Sequence, residues 1–290
     1  MTLRSLRKRI VKGQEFTVVG GLSIRLPKDS PIPGYKASFR LYDVALGEIA
    51  AIIGTKYPGY RAIDIGANVG DTAALIHEHT GAEILCIEGD PILLPILRQN
   101  LAACGNDMSF EPSFIGVEGT VIDPKSIGDL GRNACIVEAS GTAGSITTRS
   151  FTEILRDHPK FADSKLLKID TEGCDFEILS QADEMLGKAK PVIFFEYAPH
   201  FRPDDPDAGL RTLTRLTKLG YSSLLYYDNF GNLLATVSSE QPGLFQQFHA
   251  YLSSNRKFGT AVHYFDICAF HEVDRPLAAA AQASRLASVS

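Results

Sequence analysis

Two features of this 290-residue sequence predict a doubly wound α/β fold around a mostly parallel sheet. From Tyr60 to about Tyr197, short apolar runs alternate with helical patterns, and the runs at residues 62–65, 84–87, 166–169 and 192–195 have the character of buried parallel strands. Each run also leads to an acidic residue: Asp64 with Gly66 just beyond, then Glu88, Asp170 and Glu196. The arrangement expected is Rossmann-like, with an antiparallel C-terminal strand, an inserted hairpin and an N-terminal lead-in.

In chain order, residues 1–37 form a basic, Pro- and Gly-rich lead-in, residues 38–275 the main domain, and residues 276–290 a flexible, compositionally simple tail. Phe39, Tyr42, Leu46, Ile49 and Ile53 recur at spacings of three and four, which predicts an amphipathic helix over residues 38–53. Strand-like pieces at residues 108–117, 134–137 and 145–149 are expected to be one core strand plus the inserted hairpin. After Glu196 a loop leads to a helical pattern at Leu210, Leu213, Leu216 and Leu219. A strand at 221–227, a turn at 229–232, a return strand at 233–237 and a last strand at 262–270 follow.

A net charge of −5 gives no general attraction to phosphate polymers, so nucleic acid is not an expected partner. Five scattered cysteines without a C-x-x-C spacing form neither a disulfide framework nor a zinc site. Cys86, Cys135 and Cys268 stand inside apolar runs, where a thiol packs as a small hydrophobe. No apolar stretch approaches the roughly 18 residues of a membrane span. The basic residues 1–12 lead into Gly13-Gln14-Glu15, not into the apolar core of a signal peptide, so a cytoplasmic location is expected.

In an open parallel sheet the carboxyl ends of all strands share one rim, where ligands bind. Asp64, Glu88, Asp170 and Glu196 are therefore expected to converge on one site. Adjacent carboxylates repel a polyphosphate but suit a cation and the paired hydroxyls of a ribose, a combination that S-adenosylmethionine offers. The first turn, Asp64-Ile65-Gly66-Ala67-Asn68-Val69-Gly70-Asp71-Thr72, places two glycines where the backbone must turn tightly, and Asp71 can cap the following helix. It lacks the full G-x-G-x-x-G pattern, and no P-loop lysine follows. Glu88 follows Asp64 at close to the roughly 20-residue spacing of a ribose-binding acid. Asp90-Pro91 reads as a helix start. In Asp170-Thr171-Glu172-Gly173-Cys174-Asp175, Asp175 is expected to cap a helix, leaving Asp170 and Glu172 for the crevice. Glu196 and His200 add a carboxylate and an imidazole.

The 64–72 turn, Ile87-Glu88, Lys168-Ile169-Asp170-Thr171-Glu172-Gly173 and the late Tyr264-Phe265-Asp266-Ile267 resemble the motifs of FkbM-type methyltransferases, over roughly residues 42–270. The resemblance implies a transferase with S-adenosylmethionine as cofactor. It also implies an acceptor hydroxyl on a sugar, glycan or natural product, a setting in glycan biosynthesis. Asp64, Gly66, Asn68, Gly70 and Glu88 match the cofactor-binding positions, with Asp71, Thr72 and Asp170 beside them. Where the family commonly has Glu-Pro, this chain has Glu88-Gly89-Asp90-Pro91.

Methyl transfer to oxygen requires a base for the acceptor proton. Asp170, Glu172, Glu196 and His200 are the candidates, an imidazole having an ordinary pKa of about 6.5. The same group could ligate magnesium or manganese, but it shows no compact triad, and no metal site is expected. The basic start, Arg4 to Lys12, is a solvated charged segment or a holder for an anionic acceptor such as a nucleotide-linked glycan. The competing functions are an NAD-linked oxidoreductase, opposed by the missing glycine and the carboxylates where a pyrophosphate would lie, and a catalytically silent cofactor-binding module.

Overall fold

Runs of apolar residues near each strand and glycine-bearing turns between them organise the chain into layers. The computed structural model describes residues 14–17, 23–28, 30–105, 107–116, 120–122, 136–137, 146–171, 173–255 and 261–287. The first described elements are a two-stranded antiparallel ribbon, β1 (Gln14–Thr17) and β2 (Ser23–Leu26), then helices α1 (Ile32–Ser38) and α2 (Val44–Lys56). The alternating part runs β3 (Arg61–Ile65), α3 (Asp71–Thr80), β4 (Glu83–Ile87), α4 (Leu94–Cys104) and β5 (Met108–Glu111). Three short strands follow, β6 (Val121–Ile122), β7 (Ile136–Val137) and β8 (Ile146–Thr147), then α5 (Phe151–Asp157). The second half contains β9 (Leu166–Ile169), α6 (Asp175–Gln181), α7 (Asp183–Lys188) and β10 (Val192–Tyr197). Helix α8 (Ala208–Lys218), β11 (Tyr221–Asp228), β12 (Leu233–Ser238), α9 (Pro242–Asn255), β13 (Phe265–His271) and α10 (Arg275–Ala287) complete it.

The main sheet has the order β12-β11-β13-β10-β9-β3-β4-β5. Strands β5, β4, β3, β9 and β10 are mutually parallel, and β13 pairs antiparallel with both β10 and β11. This is the expected mixed α/β, Rossmann-like sheet with an antiparallel C-terminal strand. After β3 the chain builds outward through β4 and β5, then returns to place β9 on the other side of β3. The rim between β3 and β9 is therefore the point where strand order reverses.

Side chains alternate across the sheet because the strand period is two. Ile63, Ile65, Leu85, Ile87, Leu167, Ile169, Ile193 and Phe195 join the core on one face. Ala62, Ile84, Cys86, Leu166, Val192, Cys268 and Phe270 join the core on the other, under α2, α3 and α10. The free thiols of Cys86 and Cys268 are buried there as expected, while Cys135 lies outside the described residues.

Three elements differ from expectation. The helix expected over residues 38–53 begins at Val44, because Phe39 and Tyr42 continue the helical spacing by chance but belong to the connection before it. In place of a hairpin, β6, β7 and β8 form a separate three-stranded sheet with β6 in the middle, paired antiparallel to both others. The tail expected to be flexible from residue 276 is α10, whose Leu277, Ala278 and Ala281 recur on one helical face and are buried. Alanine-rich composition here forms helix, in keeping with its propensity.

Candidate functional site

A cavity of about 730 Å³ opens over the β3–β9 crossing. Its floor is the turn after β3. Gly66 has φ +74°, and a Cβ there would fall 1.9 Å from the Asp170 carbonyl oxygen, so only glycine lets the turn pass beside the end of β9. Gly66 and Ala67 donate their N–H groups to the Ile87 carbonyl at 3.0 and 3.1 Å, which ties the turn to β4. Asn68 also has positive φ, +50°, and is among the residues that line the cavity. Gly70 is not on the wall. It caps α3 at φ +84° and allows Leu97 of α4 to approach, since a Cβ would lie 2.8 Å from Leu97 Cδ1.

Glu88, just past β4, lines the cavity while both its oxygens are engaged: Oε2 accepts from Asn68 N at 2.9 Å and Oε1 from Asp90 N at 2.7 Å. Burial pushes its pKa up to about 7 despite those bonds. Asp90 is structural, as expected, accepting from Ile92 N at 2.8 Å ahead of α4. Beyond Glu88 the wall is apolar, formed by Leu93, Phe114, Ile115 and Ile122. On the other side it is acidic, with Asp71, Asp170 and Asp43.

Asp71 stands at the first position of α3, one residue past the N-cap Gly70, and lines the cavity. Burial, then the nearby Asp43, pushes its pKa up to about 7. Thr72 also reaches the cavity and donates to Asp64 Oδ2 at 2.7 Å.

Asp64 does not face the ligand space. It lies within β3, so strand alternation turns it to the α2–α3 face, where it is fully buried and absent from the cavity wall. Its partner is Lys168, directly opposite on β9, with Nζ 3.0 Å from Oδ1. Lys168 Nζ also donates to the Gly66 carbonyl at 3.2 Å and stands 3.7 Å from Asp170. Burial opposes the ammonium, but Asp64 and then Asp170 hold its pKa above the usual lysine range. The convergent carboxylates on the wall are thus Glu88, Asp170 and Glu196, joined by Asp43 and Asp71.

Asp175 does not cap α6. Its Oδ2 accepts from Thr171 Oγ1 at 2.9 Å and, more weakly, from the N–H groups of Thr171 and Gly173 at 3.4 Å. The carboxylate braces the loop that presents Asp170. Glu172 lies outside the described residues. Glu196, near the end of β10, and His200, in the turn after it, line the opposite end of the cavity, and the His200 ring lies tilted against Phe201 with ring centroids 4.3 Å apart.

Other wall residues lie outside the motifs read in the sequence, apart from Tyr264, which opens the Tyr264-Phe265-Asp266-Ile267 segment. Phe39 and Tyr42 reach the cavity from the α1–α2 connection, Asn229 and Phe230 from the β11–β12 turn, and Tyr264 from the lead into β13. Asp43 adopts φ +60° and pairs with Lys36 at 3.1 Å. Asp266, opposite Glu196 in the sheet register, has its carboxyl held well above the usual range by burial and then by Asp170. Among the described residues, no group of three or more His, Cys, Asp or Glu is arranged to hold a metal ion, and no helix is long and apolar enough to cross a membrane. The basic residues 1–12 lie outside the described residues.

The family model of the methyltransferase FkbM domain matches residues 64–223. Solved structures with a similar fold include methyltransferase FkbM from Methylobacillus flagellatus KT, at 18% identity and TM-score 0.40, covering 56% of this chain and 38% of that one. The chain therefore accounts for well under half of that structure's length. Another is the SAM-dependent methyltransferase from Agrobacterium tumefaciens, at 8% identity and TM-score 0.45, with 90% and 70% covered. A third is precorrin-6y C5,15-methyltransferase from Geobacter metallireducens GS-15, at 15% identity and TM-score 0.39, with 79% and 86% covered. No curated protein sequence matches the chain.

Proposed function

Because the chain belongs to the FkbM methyltransferase family, we propose that it methylates a hydroxyl oxygen of a sugar, glycan or other natural-product acceptor. FkbM methyltransferases use S-adenosylmethionine, which when bound supplies an electrophilic methyl group. The observation that carries the reading is the division of the cavity about Glu88, apolar on one side and acidic on the other. That division fits a donor with a planar base, a ribose and a cationic end.

In this reading Glu88 accepts from the ribose hydroxyls through the lone pairs left beside its two backbone N–H bonds. The bare backbone at Gly66 and the Asn68 side chain bound the middle of the donor site. Asp71 and Asp170 favour its cationic end, and Lys168 keeps the carboxylates at the β3–β9 crossing from repelling one another.

The acceptor occupies the other end, against Glu196, His200, Asn229 and Tyr264. An alcohol is a weak nucleophile until its proton is removed, and His200, Glu196 or Asp170 takes it. Positioning of acceptor and donor in line supplies the rest of the rate enhancement. Glu172 belongs to the same proposal through its place beside Asp170.

Calorimetric titration of the whole chain with S-adenosylmethionine and, separately, NAD tests the donor. Micromolar binding of S-adenosylmethionine alone, about −8 kcal/mol, weakened at least roughly tenfold by Glu88→Ala, is expected. Preferential NAD binding, or binding of neither, overturns the reading. Methyl transfer to amines but not to alcohols, across a panel of glycans and amino compounds, overturns the oxygen acceptor alone.

A further inference from the structure

On the donor reading above, we infer that Phe114 is the residue that holds the adenine ring, taking the place of the side chain that Gly89 lacks. The residue after Glu88 is glycine for a reason that is not conformational. Gly89 has no positive φ, yet an ideal Cβ there would lie 2.3 to 2.6 Å from three ring atoms of Phe114. The ring fills the volume that any larger residue at position 89 would occupy.

The ring is held there by a built support. Leaving β5, the chain at residues 113–116 lies beside Arg149: Arg149 N donates to the Phe114 carbonyl at 2.9 Å, Gly116 N donates to the Arg149 carbonyl at 3.0 Å, and Ile115 bridges Arg149 in parallel. The Arg149 guanidinium pairs with Glu111 at 3.1 Å and with Asp157 at 2.5 Å, anchoring the support to the end of β5 and to α5. The Phe114 backbone is thus fixed on both sides, while its half-buried side chain lines the cavity with Leu93, Ile115 and Ile122. The ring packs on the residue next to Glu88, the carboxylate assigned to the ribose. A planar base attached to that ribose meets an aromatic surface, and stacking on such a surface stabilises bound bases.

The test uses S-adenosylhomocysteine and 5′-methylthioadenosine, which keeps the adenosine but has no amino-acid end. Phe114→Ala is expected to raise Kd for both by roughly tenfold, and Gly89→Ala to do the same by displacing the ring. The double variant is expected to bind no worse than Phe114→Ala, because the new methyl then has space. The chain contains no tryptophan, so Phe114→Trp introduces a single reporter, whose fluorescence 5′-methylthioadenosine should quench. Thermal unfolding of each variant reports folding, and the tryptophan variant carries the test if alanine at position 114 does not fold. Unchanged Kd in Phe114→Ala, additive losses in the double variant, or no quenching while calorimetry shows binding overturns the assignment of Phe114. A parent protein that binds neither compound overturns the donor reading itself.

Discussion

Asp64 and Lys168 face each other across β3 and β9 and form a buried ion pair at 3.0 Å. The pair joins the two halves of the sheet where strand order reverses, directly beneath the cavity. Lys168 continues from Asp64 to the Gly66 carbonyl, so the charge that neutralises the interior also fixes the turn that floors the site.

Lys168→Met leaves Asp64 buried without its cation and is expected to destabilise the protein by about 3–5 kcal/mol. Adding Asp64→Asn should restore part of the loss, since the uncompensated charge then disappears. Denaturant unfolding of the parent, the single and the double variants measures both effects. A double variant no more stable than Lys168→Met would show that the cost comes from lost packing and not from the stranded charge.

Gly66 and Gly34 provide a contrast between two glycines. Gly66→Ala must place a Cβ 1.9 Å from the Asp170 carbonyl at φ +74°, so the turn has to move, and donor binding should fall more than roughly tenfold. Gly34 sits inside α1 with nothing within 4 Å of its would-be Cβ. Gly34→Ala should therefore stabilise the protein by about 0.5–1 kcal/mol. Calorimetry for the first and thermal unfolding for the second check the pair.

Burial raises the folded-state pKa values of Asp71 and Glu88 to about 7, above their ordinary carboxylate values of 3.8 and 4.5. The folded protein thus holds these protons more tightly than the unfolded chain. Their contribution to stability is complete below the ordinary values and is lost as pH rises through about 7. The unliganded protein is expected to unfold at lower temperature at pH 8 than at pH 5. Asp71→Asn removes one titration and should flatten the profile, recovering on the order of 2 kcal/mol at pH 8 relative to pH 5. An equal pH dependence in parent and variant would remove Asp71 from the account.

The parts legible in the sequence are those that local pattern determines. The four apolar runs are parallel strands because a strand buried on both faces is apolar without interruption, and β9 spans the expected residues 166–169. The acids that follow β4 and β9 reach the rim, while Asp64, inside its strand, turns away. What settles the difference is the register that sets Asp64 against Lys168, a relation between residues far apart in sequence. Distance in sequence likewise hides Phe39, Tyr42 and Phe114, which reach the cavity by tertiary placement. Helix α9 has Phe245, Phe248 and Leu252 at helical spacing, yet the buried His249 among them and an exposed face of Gln246, Gln247, Ser253 and Ser254 give a weak periodic signal.

The α1–α2 connection is docked on the β11–β12 turn through Gly231, whose φ is +85° and whose would-be Cβ lies 2.1 Å from the Leu41 carbonyl oxygen. Beside this contact Phe39 packs on Phe230 with ring centroids 4.6 Å apart. The turn is also stabilised locally, since Asp228 Oδ1 accepts from the N–H groups of Phe230 and Asn232 at 2.9 Å. Gly231→Ala should therefore leave the turn formed while pushing residues 39–43 away from it. The expected cost is about 1–3 kcal/mol, with faster amide exchange in residues 35–46 and slower change elsewhere, measured by hydrogen–deuterium exchange. Because Phe39 packs on Phe230, next to Asn229 of the acceptor end, the same substitution should weaken acceptor affinity more than donor affinity. Unchanged exchange across residues 35–46 would mean that the connection is held by its other contacts and does not depend on the bare backbone at Gly231.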